Sequence, residues 1–429
     1  MNARLTTAAI PGWLLVALAF IGCGDRQPPG RIQSNGEPTV QIQTAAVDAE
    51  SAEALLVRRL DAAIERARSY LVARQSDDGA WRSDVYGTFK NGDALTAEIA
   101  VALSSCGAPE CRAVVTRAVE FLSGFVRDGR VCATGDALTY PTYTAAAAVA
   151  LLSAEQNPQN KAAQVAWLDY LCQRQLTESL GWSPDDARYG GWGYAVEPTI
   201  RPADGVQLGN LAEPNLSATV YALVALRAAG RPVDDPAIQR ARRFVERCQN
   251  YSASTGALGP DAGDTALDDG GFTFVLDDPV RNKAGLAGVD RTGRNRYASY
   301  GSATADGLRG LLLCGDAPDD PRVVAAWQWF EMHFSATSHP GRYAIDRVAA
   351  QESVYFYYCR ALADCLPAAG HDPRLRWAAE LTEALLARQA ADGSWRNTAV
   401  DVREDDPLVA TPATLGALVR CRVILSRPD

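Results

Sequence analysis

The sequence predicts an all-α fold in which an outer ring of helices surrounds an inner ring, and three observations predict it. Helical segments of two kinds alternate strictly, six of each. Their ends repeat one spelling of start and stop. The starts of the outer segments recur at about fifty residues, with two long insertions.

The first kind of segment is amphipathic with mixed charges: 50–74, 109–126, 158–176, 236–249, 321–334 and 373–390. The second kind is apolar nearly all round and rich in Ala: 93–106, 141–155, 215–229, 302–314, 350–365 and 408–424. A helix with one wet face belongs on the surface, and one without a wet face belongs inside. Asn157-Pro158, Asp235-Pro236, Asp320-Pro321, Asp372-Pro373 and Asp406-Pro407 each put a side-chain acceptor at the N-cap and Pro at the first helical position. Proline's missing N–H is harmless there. Gly107, Gly230, Gly315 and Gly370 stand where helices should stop. Outer starts at 109, 158, 236, 321 and 373 place the insertions near 177–214 and 250–301. The GGWGYAV and GGFTFVL runs are too short to build a sheet.

The chain has 429 residues, is 47% hydrophobic and 22% charged, and carries a formal net charge of −9. That balance argues against a nucleic-acid partner, which favours a basic face. Residues 1–23 read as an export signal. One Arg at position 4 precedes an apolar run, Ile10 to Ile21, too short to span a bilayer comfortably. The Phe20-Ile-Gly-Cys23 ending resembles a bacterial lipoprotein cleavage signal, although Phe20 and Ile21 depart from its usual residues. The resemblance implies a lipid on Cys23 and a membrane-anchored protein in the bacterial cell envelope facing the periplasm, or otherwise a secreted one. Residues 24–48, polar and rich in Pro, Gly and Gln, read as a flexible tether, leaving 49–429 for the rings. Cys106 with Cys111, or Cys359 with Cys365, could pair, but buried thiols acting as small hydrophobes are the simpler expectation.

Two stretches repeat one helix ending: Arg66-Ala-x-x-Tyr70-Leu-x-x-x-Gln75-x-x-x-Gly79-x-Trp81, and Leu385-x-x-x-Gln389-x-x-x-Gly393-x-Trp395. Arg240-Ala-x-x-Phe244-Val-x-x-x-Gln249 carries the first half, and Arg117-Ala-x-x-Phe121-Leu122 part of it. This resembles the Gln-Trp repeat of squalene–hopene and oxidosqualene cyclases and their protein-prenyltransferase relatives. As a set, the repeats over about 50–425 look like the bacterial cyclase-like, prenyltransferase-repeat proteins. The resemblance implies an (α/α)₆ toroid. Locally, a Gln amide is expected to donate to carbonyls of the ending helix and accept from N–H groups of the next, shielded by the Trp.

Neither chemistry of those families is spelled out. Cyclases that protonate an alkene use an Asp-x-Asp-Asp-Thr-Ala run whose middle Asp is kept protonated. The nearest strings, Asp264-Thr-Ala-Leu-Asp268-Asp269 and Arg403-Glu-Asp405-Asp406, do not fit. Prenyltransferases hold zinc with Asp, Cys and His. Here Tyr355 stands at the His position and Leu308 at the Cys position, so no metal is expected, and no cofactor.

The starts of the inner helices should line the cavity mouth. From the first four come Asp93, Glu98, Tyr140, Tyr143, Asn215, Tyr300 and Asp306. From the fifth come Glu352, Tyr355, Tyr357 and Tyr358. Tyrosines there suit an apolar ligand or a developing carbocation, or simply fill a narrow centre. Asp306, the acid of the otherwise apolar ATADGLRGLLL segment, is the first candidate for a catalytic carboxylate, and Glu352 the second. The expected function is an exported toroid that binds, and in its enzymatic form cyclises or isomerises, an isoprenoid or other apolar ligand. A non-catalytic envelope scaffold or binding protein is the alternative. A glycan-processing (α/α)₆ enzyme is a more distant one, since fold alone does not set function.

Overall fold

A computed structural model describes residues 39–132, 138–155, 157–252, 267–290, 293–368 and 376–426. The export signal and Cys23 lie outside the described residues. Six helices form the inner ring: α2 (Asp93–Ser105), α4 (Pro141–Ala154), α6 (Leu216–Ala228), α8 (Gly301–Leu313), α11 (Tyr355–Cys365) and α13 (Pro407–Leu425). Six form the outer ring: α1 (Thr39–Val72), α3 (Arg112–Ser123), α5 (Lys161–Cys172), α7 (Pro236–Arg247), α9 (Pro321–His333) and α12 (Trp377–Leu386). Each inner helix packs on the next, and α13 packs on α2, so the ring closes. The α1 helix lies against α12 and α13, which joins the two ends of the chain.

Composition explains which ring each helix joins. In α4 every residue but Tyr143, Ser153 and Ala154 is buried. In α7 burial is confined to Ile238, Ala241, Phe244 and Val245, one stripe of a charged helix. The α13 helix is long and apolar enough to cross a membrane, but it is an inner-ring helix packed against α1, α2, α11 and α12. Asn157, Asp235, Asp320 and Asp406 each accept a backbone N–H two residues on, as N-caps should.

The repeated helix endings are clamps between successive outer helices. Gln75 Nε2 donates to Gly79 O at 2.9 Å and to Val114 O of α3 at 2.8 Å. Gln175 does the same to Gly190 and Ala237 of α7, and Gln249 to Gly270 and Arg322 of α9. Gln389 of the last repeat reaches Gly393 and Ala63 of α1 at 2.9 and 3.0 Å, which closes the outer ring. The amide oxygen accepts from an arginine rather than from a backbone N–H: Arg117 on Gln75, Arg322 on Gln249, Arg66 on Gln389. That corrects the expected polarity, because a guanidinium on the next helix outreaches that helix's own N–H groups.

The glycine whose carbonyl accepts from each Gln is needed for close approach. Gly79 and Gly190 have φ of +88° and +87°, and a Cβ would sit 2.3 Å from Arg117 O or 2.0 Å from Arg240 O. The buried indoles of Trp81, Trp192 and Trp395 donate to Leu71, Leu171 and Leu385 carbonyls of the ending helices. Their backbone N–H groups donate to Thr96, Thr219 and Thr411 of the inner ring.

Several boundaries differ from expectation. The α1 helix starts at Thr39, so 39–48, read as tether, are helical. The segment 350–365, read as one inner helix, is broken at Ser353-Val354 between α10 (Val348–Glu352) and α11, where Val354 leaves helical geometry. Insertion 177–214 holds a small second core of Trp182 and Tyr189 against Leu176. Insertion 250–301 holds an antiparallel hairpin of β3 (Leu286–Val289) and β4 (Asn295–Tyr297). A shorter ribbon, β1 (Val126–Arg127) with β2 (Arg130–Val131), follows α3. The nine described cysteines are free thiols.

Candidate functional site

The inner helices bring together, on the inside of the ring, a tyrosine layer, a buried carboxyl and a cluster of arginines. Asp306 of α8 is 2% exposed. Its Oδ2 accepts from the hydroxyls of Ser217 on α6 and of Tyr357 on α11, the latter at 2.9 Å. Burial raises its pKa to about 6 against the lowering pull of those two hydroxyls and of Arg309. Around it Tyr143 and Tyr194 join hydroxyls at 2.9 Å, Tyr194 donates to Asn215 Oδ1 at 3.0 Å, and Tyr143 meets Tyr221 edge-to-face at 4.5 Å. Burial holds all of these tyrosines neutral, their pKa values pushed up.

Glu98 of α2 is a second carboxyl of the interior. Burial raises its pKa to about 7, opposed by Arg360 and Arg309. A carboxylic acid poised there can give or take a proton without a metal.

Towards the far ends of the inner helices, Asp364 of α11 receives three arginines. Arg309 of α8 lies 3.0 Å from it, Arg360 of α11 2.9 Å and Arg420 of α13 3.1 Å. Burial opposes ionisation of Asp364, but the three guanidiniums hold it well below the ordinary carboxylate range. Arg360 passes directly over Gly416, where a Cβ would coincide with the guanidinium.

The other candidate residues divide between wall and rim. Asp93 is buried at the start of α2, accepting from Thr139 N at 2.6 Å, with its other oxygen unpartnered. Asn215 caps α6. Tyr300 is buried against His339 and Tyr343. Tyr355 and Tyr358 turn away from Asp306, donating to Ala336 O and Ser335 O at 2.6 and 2.9 Å. Only Tyr357 of that trio reaches Asp306, because Tyr355 and Tyr358, three residues apart, share one face of α11 and Tyr357 lies on another. Glu352 is exposed at the end of α10, which the break before α11 detaches from the inner helix. Tyr140, at φ +44°, bonds Arg403, whose guanidinium lies 5.5 Å from the ring centres of Tyr86, Phe89 and Tyr140. Asp268 pairs with Arg296 at 2.6 Å and Asp269 accepts from Ser299 at 2.6 Å, both in structural contacts.

Sequence reasoning missed Ser217, Tyr194, Tyr221 and the arginine cluster. One signal would have found the arginines: Arg309, Arg360 and Arg420 are charges inside helices that are otherwise apolar, the criterion that singled out Asp306. Glu404 was also missed. It accepts from the Phe356 and Tyr357 N–H groups at 3.1 and 2.7 Å, capping α11 from the neighbouring loop. Among the described residues no group of three His, Cys, Asp or Glu could hold a metal ion.

Two closed helical rings around a polar centre define an (α/α)₆ toroid of terpenoid cyclase-like fold, an architecture shared with some glycosidases. The structure is similar to type II terpene cyclase MstE from Scytonema in complex with merosterolic acid A (TM-score 0.55, 14% identity, 86% of this chain and 99% of that one). The apo form of that cyclase gives 0.51 at 14% identity over 84% and 98%. The GH76A alpha-1,6-mannanase from Salegentibacter sp. HEL1_6 gives 0.50 at 11% identity over 86% and 100%. No protein-family model and no curated protein matches the chain. Nothing in these likenesses points to squalene–hopene cyclases in particular.

Proposed function

We propose that the toroid takes an isoprenoid or other apolar ligand into its centre, with Asp306 as the group that gives or takes a proton. The observation that carries the reading is the carboxyl of Asp306, buried beneath neutral tyrosines and held near pKa 6. Tyrosine faces offer an apolar wall and stabilise positive charge on a hydrocarbon chain. A carboxyl whose anion is poorly solvated keeps part of its proton at a pH where an ordinary carboxyl has lost it, which is what a proton donor needs. The test incubates purified protein with squalene, farnesol and geranylgeraniol, wild type beside Asp306→Asn, and extracts apolar molecules that co-purify. Product from wild type alone supports catalysis; a co-purifying isoprenoid without product supports binding. Neither would leave the scaffold reading.

Glycan processing is a second reading, favoured by the presence of two carboxyls, Asp306 and Glu98, inside one ring. Glycosidases work with such a pair. Release of reducing sugar from α-1,6-mannan, lost in Asp306→Asn and Glu98→Gln alike, would replace the first reading with this one.

We also propose that Cys23 is lipidated and holds the toroid at the bacterial envelope, facing the periplasm. Mass spectrometry of the mature N-terminus should find a diacylglyceryl group on Cys23. In Cys23→Ser the protein should leave the membrane fraction, and retention there would remove the anchor.

A further inference from the structure

From Arg309, Arg360 and Arg420 gathered about the single carboxylate of Asp364, we infer an anion subsite inside the toroid that takes the acidic head group, phosphate or carboxylate, of its ligand. This rests on the reading that the interior receives a ligand, and it names the polar end of that ligand.

Three guanidiniums bring three positive charges to one fully ionised carboxylate. The remaining acids that sense the cluster, Glu98 and Asp306, are both raised towards neutrality by burial, so they offset the surplus only in part. Each guanidinium has five N–H donors in a planar fork. Asp364 engages Arg360 and Arg309 through Oδ2 and Arg420 through Oδ1, which leaves most of the donors for another acceptor. The side chains are not sealed: Arg309 and Arg360 are 20% exposed and Arg420 34%, whereas Asp364 is 2% exposed. Here the aspartate holds three forks in place and leaves their outer donors open, the geometry that suits a tetrahedral or planar oxyanion.

Depth is consistent with an amphiphile. At about 1.5 Å per residue, Arg309 lies roughly 12 Å along α8 from its start, below Asp306 at roughly 7 Å. A ligand lying along the axis would put its head on the arginines and its hydrocarbon beside Asp306 and the tyrosines. Gly416 belongs to the same device, because any side chain there would expel Arg360.

The experiment measures affinities of the full chain for farnesyl monophosphate, farnesol and inorganic diphosphate by calorimetry. Wild type should bind the phosphate ester at least about tenfold more tightly than the alcohol, as charge-assisted hydrogen bonds require. Arg309→Gln and Arg420→Gln should each narrow that ratio about tenfold and leave farnesol affinity unchanged. Arg420, the most exposed of the three, is the change least able to disturb folding. Equal wild-type affinities, or a ratio unaltered in both variants, overturns the subsite. Should farnesol not bind at all, the apolar reading fails, and inorganic diphosphate decides separately. A rise in wild-type Tm with diphosphate that Arg309→Gln and Arg420→Gln abolish supports the anion subsite, and no rise removes it.

Discussion

Replacing Asp306 by Asn tests whether the carboxyl is stored under electrostatic tension. The group moves from an ordinary 3.8 to about 6 on folding, and at about 1.4 kcal/mol per tenfold change in proton affinity this is worth about 3 kcal/mol. The sign follows from linkage. Between those two values the folded chain binds a proton that the unfolded chain has lost, so stability falls as pH rises through about 6. That contribution is fully present below 3.8 and lost above 6. Asn has the same shape, and its oxygen can still accept from Ser217 and Tyr357. Urea denaturation at pH 4 to 8 should therefore show Asp306→Asn close to wild type in acid and up to about 3 kcal/mol more stable at pH 8. Glu98 and Glu404, both raised to about 7 by burial, tilt the two profiles alike and drop out of the difference. Profiles that run parallel from pH 4 to 8, or a variant less stable at pH 8, would refute the claim that burial holds this proton.

Two structural predictions accompany it. Gln389→Ala removes donors to Ala63 and Gly393 and the acceptor for Arg66; it should cost about 2–3 kcal/mol and speed amide exchange in α1 and α12, and a loss below about 0.5 kcal/mol would show that the ring does not depend on this clamp. Asp364→Asn leaves three arginines without their carboxylate and should lower stability by about 3–5 kcal/mol, partly restored by added phosphate; a melting temperature equal to wild type counts against the buried pairing.

The legible part of this protein was its periodicity. Each outer helix had to bury a single stripe and each inner helix all its faces, and that need is written at spacings of three and four residues in every segment. Caps of the Asp-Pro type are equally local, since an acceptor and a proline act within one turn. Gln75, Gly79 and Trp81 announced a repeated joint, but not the arginine from the next helix that completes it, some forty residues further along. The candidate site divided the same way. Asp306 was visible as the single acid in an apolar helix, whereas its partners Ser217 and Tyr357 sit on two other helices. Glu352 shows the limit: whether it joins the inner ring depends on the break at Ser353-Val354, which apolar patterning does not mark.

By itself, then, the sequence determined the two classes of helix, their number and order, and the joints between them, because burial and capping are decided within a few residues. Only the tertiary structure decided that Arg309, Arg360 and Arg420 converge on Asp364, and that Tyr357 rather than Tyr355 or Tyr358 meets Asp306. Which side chain faces the axis depends on the rotation of each helix about its own length. That rotation is set by packing against both neighbours in a closed ring, and no local stretch of residues contains it.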